Sequence, residues 1–142
     1  LLFVAELKGT RKKEDRAAAV EHAAARVGLQ GMEQRLIRNL SKGYRQRVGI
    51  AAALLGTPKI IILDEPTRGI DVGSKAEIYA IIDELAAAGA SIIMVSSELP
   101  EIINMCNRCY VMCEGRITGE LAEEEFHQET MMLYATNREE AV

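Results

Sequence analysis

The chain has 142 residues, of which 49% are apolar and 27% charged, and its formal net charge is −4. This length is enough for one domain with a buried core. The acidic balance argues against a dedicated nucleic-acid-binding protein. No apolar run approaches the roughly 18 residues that a membrane-spanning helix needs, so direct insertion into a membrane is not expected. The residues that follow Leu1 lack the pattern of a secretory signal.

Three cysteines lie close together, at Cys106, Cys109 and Cys113. Their spacing could supply metal ligands, but a structural zinc site needs four ligands and no fourth is near. Cys109 and Cys113 fall in an alternating strand pattern, where cysteine acts as a small apolar residue. An odd number of cysteines in an α/β domain favours reduced thiols and a cytoplasmic location.

The first thirty residues have the periodicity of helices. Thr10 is predicted to cap a helix over Arg11–Val27, which Gly28 ends. The packed face of this helix is predicted from apolar residues at helical spacing: Ala17, Val20, Ala24 and Val27. The two histidines, His22 and His127, are expected to be surface residues.

A further helix is predicted from its cap, Ser41, to about Leu55, where Gly56-Thr57-Pro58 ends it. A serine cap with Gly43 in the first turn leaves free amides at the helix N-terminus, which is a ready anion-binding site. An ordinary capped helix fits the same residues equally well, because serine caps are common.

Four apolar residues at Ile60–Leu63 run into two carboxylates, Asp64 and Glu65, and then Pro66. A short continuous apolar run is typical of a parallel strand that is buried on both faces. Pro66 cannot donate to the ladder, so the strand is expected to end at about Asp64 or Glu65. Open α/β sheets bind ligands at this end of their strands, which suits a divalent cation on one carboxylate and a water on the other. The alternative interpretation of Asp64 and Glu65 is a turn that follows the strand and caps the next helix.

A turn at Arg68-Gly69-Ile70-Asp71 comes next. After Val72-Gly73-Ser74 a helix is expected to extend to about Ala88. Its apolar face is predicted to consist of Ile78, Ile81, Ile82 and Leu85. Ser91–Val95 is predicted to be a second buried strand, parallel to the first through a right-handed crossover. Ser96 and Ser97 then lie at the ligand-bearing edge of the sheet.

The remaining chain contains three predicted elements. Pro100 begins a short helix that extends through Met105. Arg108–Cys113 and Arg116–Leu121 form a hairpin around Glu114-Gly115. A tail helix is predicted over Ala122–Ala135, with three apolar residues: Phe126, Met131 and Leu133.

This ordered set of motifs resembles the later part of an ABC-transporter ATP-binding domain. Its parts are a signature loop at Leu40-Ser41-Lys42-Gly43-Tyr44, a Walker B strand at Ile60–Glu65, a D-loop at Gly69-Ile70-Asp71 and a switch region at Ser96-Ser97. The resemblance implies an α/β fold, a partial P-loop NTPase (ABC ATPase) domain in which a helical signature region precedes a parallel βαβ sheet and a C-terminal hairpin. The expected parts are a helical subdomain at 1–57, part of the RecA-like core at 58–121, and a C-terminal helix and tail at 122–142.

The resemblance also implies the roles of individual residues and two cofactors, ATP and Mg²⁺. Asp64 would hold Mg²⁺, usually through water, and Glu65 would be the catalytic carboxylate that polarises the attacking water. The signature loop would contact the γ-phosphate of ATP bound by a partner domain, chiefly through Ser41 and Gly43 with Leu40, Lys42 and Tyr44 beside them. Asp71 would lie at the dimer interface, and Ser97 would occupy the switch position.

Two segments have a narrower resemblance. Pro66–Gly73 and Met94–Glu101 look like the second ATP-binding half of bacterial monosaccharide importers of the ribose and galactose type, and this likeness continues over residues 58–142. Residues 1–57 resemble exporter-type ABC ATPases. The implied protein couples ATP hydrolysis to solute import, with a second ATP-binding domain and membrane-spanning permease subunits as partners and no nucleic acid. It would be cytoplasmic, peripheral on the inner face of the cell membrane.

Three departures from the family pattern affect the expected activity. Lys42 and Tyr44 stand where the family has a glycine and a glutamine. Ser97 stands where most of the family has a histidine, which implies slow or asymmetric hydrolysis at this domain's own site. No G-x-x-x-x-G-K-[ST] motif occurs in the chain. Because the P-loop cradles the β- and γ-phosphates, the chain alone is expected to bind ATP weakly and not to hydrolyse it.

Two other functions compete with a transport ATPase. A soluble ABC-type ATPase that acts on DNA or ribosomes would need long coiled-coil or basic insertions, which this compact acidic chain does not contain. A non-catalytic interaction fragment is consistent with the missing P-loop.

Overall fold

The computed structural model describes residues 1–136 and divides into two compact units, with the boundary between Val95 and Ser96. The first unit contains α1 (Leu2–Leu7), α2 (Lys13–Arg26), a 3₁₀ turn (Ile37–Asn39), α3 (Lys42–Leu54), β1 (Ile60–Asp64), α4 (Val72–Ala87) and β2 (Ser91–Val95). The second contains α5 (Leu99–Met105), β3 (Arg108–Cys113), β4 (Arg116–Ala122), a 3₁₀ turn (Glu123–Glu125) and α6 (Gln128–Thr136). The end of the predicted C-terminal tail, residues 137–142, lies outside the described residues.

The predicted βαβ unit is confirmed. β1 and β2 are parallel, and their register runs from Ile60 opposite Ser91 to Asp64 opposite Val95. The amide of Glu65 continues the pairing by donating to the carbonyl of Val95 at 2.8 Å. The predicted apolar face of α4 is buried at Ile78, Ile81, Ile82 and Leu85. These contacts fix the strand end that carries the two carboxylates.

The expectation that both strands are buried on two faces is wrong for this chain. Ile61 and Leu63 are buried, but Ile60 and Ile62 on the opposite face are 58% and 67% exposed. Ile93 and Val95 of β2 are each 52% exposed. Within residues 1–136, packed side chains cover only one face of this two-stranded sheet, so its second apolar face meets solvent. An apolar run in sequence indicates how much burial a strand requires, but not which segment supplies it.

The predicted cap of α2 is also wrong. The amide of Thr10 donates to the carbonyl of Ala5 at 3.0 Å, so Thr10 belongs to the turn that ends α1. The helix begins at Lys13 instead, after Lys12, which provides no side-chain cap. Ala24 in the helix and Val27 directly after it are buried as predicted, but Ala23 is also buried and Ala17 is exposed.

The second unit contains the predicted hairpin. β3 and β4 are antiparallel, with an irregularity between Val111 and Met112. Glu114 and Gly115 both have positive φ. This conformation is typical of two-residue hairpin turns, because it matches the twist of the flanking strands. The helix α6 packs on β3 and β4, and a Cβ added to Gly119 would lie 2.8 Å from the Tyr134 ring.

The predicted tail helix is shorter than expected. A 3₁₀ turn occupies its beginning, and Phe126 and Met131 are buried, whereas Leu133 is 38% exposed. The three cysteines of this unit are free thiols, and burial raises the pKa of the Cys106 thiol to about 11. Among residues 1–136, no helix has the length and apolarity that crossing a membrane requires.

Candidate functional site

Two capped helix N-termini form the centre of the candidate site. The Oγ of Ser41 accepts a hydrogen bond from the amide of Tyr44 at 3.3 Å and caps α3, as predicted. The Oδ1 of Asp71 accepts one from the amide of Ser74 at 3.0 Å and caps α4. Each cap satisfies one of the free amides at the start of its helix and leaves others available to an anion.

The helices α3 and α4 run side by side in the same direction. A Cβ added to Gly43 would lie 3.0 Å from the Cβ of Ser74. One turn further along both helices, the guanidinium of Arg47 pairs with the carboxylate of Glu77. Because both contacts advance from N-terminus to C-terminus on each helix, the two helices begin at the same end of the packed pair.

Lys42 lies between the two helix starts. Gly69 has φ +67°, and a Cβ there would lie 2.5 Å from the Nζ of Lys42. The ammonium group of Lys42 therefore lies against the loop that leads into α4. Two helix N-termini and one ammonium group concentrate positive charge in one place, with the carboxylate of Asp71 beside them. This arrangement suits a phosphate group.

The contact between Gly43 and Ser74 makes a stability prediction with an internal control. Gly49 lies on the same helix and has nothing within 4 Å of an added Cβ. Alanine at an unobstructed helical position is expected to raise the free energy of unfolding by about 0.5–1 kcal/mol. Gly43→Ala should fall below Gly49→Ala by about 1 kcal/mol or more, because its methyl group overpacks the contact with Ser74. Urea denaturation measures both; equal gains would contradict the close approach of the two helices.

The carboxyl group of Asp71 should titrate below its usual range. The backbone amide of Ser74, followed by the Ser74 side chain, holds the pKa of Asp71 below its ordinary value of 3.8. A lowered pKa means that the cap contributes stability above the unfolded pKa and that this contribution is lost as pH falls through the folded pKa. We expect an NMR titration midpoint below 3.8 for this carboxyl group. Asp71→Asn should remove the associated pH dependence while keeping an acceptor oxygen, and a midpoint at or above the ordinary value would show that the bond does not form.

The paired carboxylates lie where the sequence placed them, at the carboxyl end of β1. Asp64 is the last residue of the strand and its side chain is exposed. Glu65 has φ 47°, a left-handed backbone conformation that residues other than glycine rarely adopt. The Nη1 of Arg68 lies 4.0 Å from the Oε1 of Glu65. Such backbone outliers are concentrated at functional sites, where surrounding structure holds them.

The turn after Glu65 is held by buried residues. Pro66 and Thr67 are fully buried, and the Thr67 hydroxyl lies 3.4 Å from the hydroxyl of Tyr79 on α4. The amide of Ile70 donates to the carbonyl of Thr67 at 3.1 Å. This turn connects the carboxylates to Gly69 and Asp71, so β1 and the start of α4 are joined by a tightly bonded loop.

The predicted site residues therefore divide into groups. At the helix starts Lys42 lies against Gly69 and Gly43 lies against Ser74, while Ser41 and Asp71 cap the two helices. Leu40 is buried at 8% exposure, and the ring of Tyr44 packs against the guanidinium of Arg47, with 5.1 Å between the ring centroid and Cζ. Ser97 is an exposed residue of the second unit, and its role stays a prediction.

Sequence reasoning missed several members of this site. The cap formed by Asp71 could have been found, because an aspartate directly before an apolar helical pattern is a usual N-terminal signal. Arg47, Glu77 and Ser74 carry no local signal, because their contacts join residues that are far apart in the chain.

Comparison with known proteins gives a consistent family. The ABC transporter family model matches residues 3–68. The L-arabinose transport ATP-binding protein AraG of Geobacillus stearothermophilus is 57% identical over 100 residues, covering 70% of this chain and 20% of that protein. The ribose import ATP-binding protein RbsA 1 of Streptomyces avermitilis is 48% identical over 134 residues, covering 93% of this chain and 24% of that protein. Because the second alignment covers so much of this chain, it includes most of residues 1–57 as well as the segment after them.

Solved structures also match this chain. The structure of cbiO1 from Clostridium perfringens, part of the ABC transporter complex cbiONQ, is 28% identical with a TM-score of 0.77, covering 96% of this chain and 55% of that chain. This chain spans about a fifth to a quarter of the length of the curated relatives described above. The family match, the relatives and the shared fold together show that the chain has an ABC ATPase (P-loop NTPase) fold and that it resembles the ATP-binding proteins of sugar importers.

Proposed function

We propose that this chain supplies the signature, Walker B and D-loop parts of an ATP-binding subunit that couples ATP hydrolysis to import of a monosaccharide. The observation that carries the proposal is the meeting of the α3 and α4 N-termini around Lys42. Relatives named for arabinose transport and ribose import support the choice of a sugar as solute. The proposed partners are a second ATP-binding domain and membrane-spanning permease subunits, with no nucleic acid, and the proposed location is the cytoplasmic face of the membrane.

The signature loop would act on a nucleotide that another domain holds. The first-turn amides of α3, the Oγ of Ser41 and the ammonium group of Lys42 would face the γ-phosphate of ATP bound by a partner. Positioned amides and cations stabilise the charge of the transferring phosphoryl group. Asp71, at the start of the adjacent helix, would lie at the interface with that partner.

The carboxylates at the end of β1 would serve this domain's own nucleotide. Within residues 1–136, no cluster of three or more histidine, cysteine or acidic side chains could hold a metal ion. Mg²⁺ in nucleotide sites is usually held by one or two carboxylates together with water and phosphate oxygens, so Asp64 at a strand end fits it. When bound with ATP, Mg²⁺ neutralises charge on the β- and γ-phosphates. Glu65 would accept a hydrogen bond from the attacking water and orient it.

The absence of a G-x-x-x-x-G-K-[ST] motif limits what the chain does alone. Without P-loop amides and lysine, a nucleotide at Asp64 would lose most of its phosphate contacts. The chain alone is therefore expected to bind ATP weakly and not to hydrolyse it. Ser97, in place of a histidine, would make hydrolysis at this site slow or asymmetric even when a P-loop is supplied.

Calorimetry with Mg-ATP tests this account. We expect weak binding by the chain alone and tight binding by a longer polypeptide in which the same sequence follows a P-loop. Tight binding by the chain alone would contradict the assignment of its phosphate sites. Absence of binding by both would favour a non-catalytic interaction role, which the missing P-loop also suits.

A further inference from the structure

Arg47 is a buried cation in the middle of the signature helix α3. It is 9% exposed, although arginine is seldom buried unless it is paired. Its Nη1 donates to the carbonyl of Val27 at 3.4 Å, and its Nη2 donates to the carboxylate of Glu77. Its guanidinium also packs against the ring of Tyr44. One side chain thus joins the end of α2, the middle of α4 and the first turn of α3.

The surrounding backbone is shaped to accept this guanidinium. Gly28 follows Val27 with φ +65°, and a Cβ there would lie 2.9 Å from the Nη1 of Arg47. A glycine therefore meets two needs at this point, the left-handed turn and the space that the cation occupies. The contact is a built feature of the fold rather than a chance surface pair.

Stability alone does not account for such a residue. Replacing a buried ion pair with apolar side chains of similar volume is often neutral or stabilising, because burying the charges is costly. Here the arginine side chain is 11% exposed, whereas that of Glu77 is 62% exposed. Removing the arginine would therefore leave no buried charge behind. What the pair does provide is a fixed orientation of the groups it joins, because a planar guanidinium constrains the geometry of its partners.

We propose that Arg47 is a positioning residue that sets the orientation of the phosphate-facing end of α3 against α4. A continuous series of contacts links the two: Glu77 binds Arg47, Arg47 packs on Tyr44, and the amide of Tyr44 donates to the Ser41 cap. The contact between Gly43 and Ser74 lies one turn closer to the helix starts. The series holds the Ser41 cap and the Lys42 ammonium in place beside Asp71. This inference rests on the proposed function, in which these groups face a phosphate of ATP.

Two variants test it, and Arg45→Met is their matched control, since Arg45 is exposed on the same helix. Arg47→Met removes the cation and keeps a long apolar stem, while Glu77→Gln removes the ion pair from an exposed side chain. Hydrogen exchange at the Tyr44 amide, measured on the chain without nucleotide, reports the state of the Ser41 cap. We expect exchange there to accelerate at least about tenfold in Arg47→Met and less in Glu77→Gln, with Ala51 at the other end of α3 unchanged.

The second readout is ATP-dependent association with an ABC ATPase domain that carries a Walker A motif. Arg47→Met should weaken this association at least about tenfold, and the double variant should be no worse than Arg47→Met, because both substitutions break one series of contacts. Arg45→Met should behave as the parent chain does.

The two readouts separate the possible failures. Unchanged exchange at Tyr44 in both variants would overturn the positioning role, whatever the nucleotide result. The role would also be overturned if the parent chain associates and Arg47→Met shows faster exchange at Tyr44 but associates as strongly as the parent chain does. If the parent chain shows no ATP-dependent association, the proposed function fails, and the exchange measurement still decides whether Arg47 orders the cap.

Discussion

Lys42→Glu is expected to weaken ATP-dependent association with a Walker A-bearing partner domain at least tenfold, without loss of fold stability. Lys42 is the first residue of α3, and its ammonium group lies against the loop before α4. Two unit charges 4 Å apart interact by about 4 kcal/mol at the effective dielectric constant near a protein surface. Even after strong screening, reversal of this charge should exceed the roughly 1.4 kcal/mol that a tenfold change in affinity represents.

In the same Lys42→Glu variant the free energy of unfolding should rise slightly, although association is weakened. A glutamate in the first turn of a helix interacts favourably with the helix dipole and is worth about 0.3–1 kcal/mol. Lys13→Glu is the matched control, because Lys13 is the first residue of α2 and the net charge changes equally. Association and urea denaturation should be measured on both variants. Equal weakening by the two substitutions would mean that overall charge, rather than the α3 N-terminus, attracts the phosphate.

Ile78→Ala is expected to lower the free energy of unfolding by about 2–5 kcal/mol. Ile78 is fully buried on the face of α4 that contributes to the core of the first unit. Truncation removes apolar contacts and leaves a cavity that neighbouring side chains fill only in part. The same helix supplies the cap at Asp71 and the contact residue Ser74, so loss of its packing should also disturb the candidate site.

The control for this substitution is Val72→Ala. Val72 is also a branched apolar residue of α4, but it is 85% exposed. Its truncation should change the free energy of unfolding by less than about 0.5 kcal/mol. Urea denaturation provides the measurement: the midpoints of the variants are compared, provided that the free energy of unfolding depends equally on urea concentration in each. Similar losses at the two positions would show that α4 is not packed as described.

Local signals in the sequence predicted the parts of the fold that depend on local chemistry. The Ser41 cap, the strand ending at Asp64 and the hairpin at Glu114-Gly115 each follow from residue types at a fixed spacing, and each is confirmed. Thr10 failed as a cap because its backbone is used to close α1, a competing role that spacing alone does not reveal. Helix ends are decided by such competition among neighbouring turns.

Features that depend on distant segments could not be predicted in the same way. The exposure of Ile60 and Ile62 depends on what packs against the second face of the sheet. The meeting of Lys42 with Gly69, and of Arg47 with Glu77, requires α3 and α4 to lie side by side. The sequence therefore indicated which residues are chemically suited to a phosphate site, and the packing of two helices determined which of them come together.

The most direct test of the proposed function is the nucleotide dependence of association between this chain and an ABC ATPase domain with an intact Walker A motif and impaired hydrolysis. Sedimentation would compare mixtures containing Mg-ATP, Mg-ADP or no nucleotide. We expect a stable complex only with Mg-ATP, because only ATP presents a γ-phosphate to the α3 N-terminus. Equal association in all three mixtures, or none with Mg-ATP while the partner domain forms its own ATP-dependent dimer, would contradict the proposal.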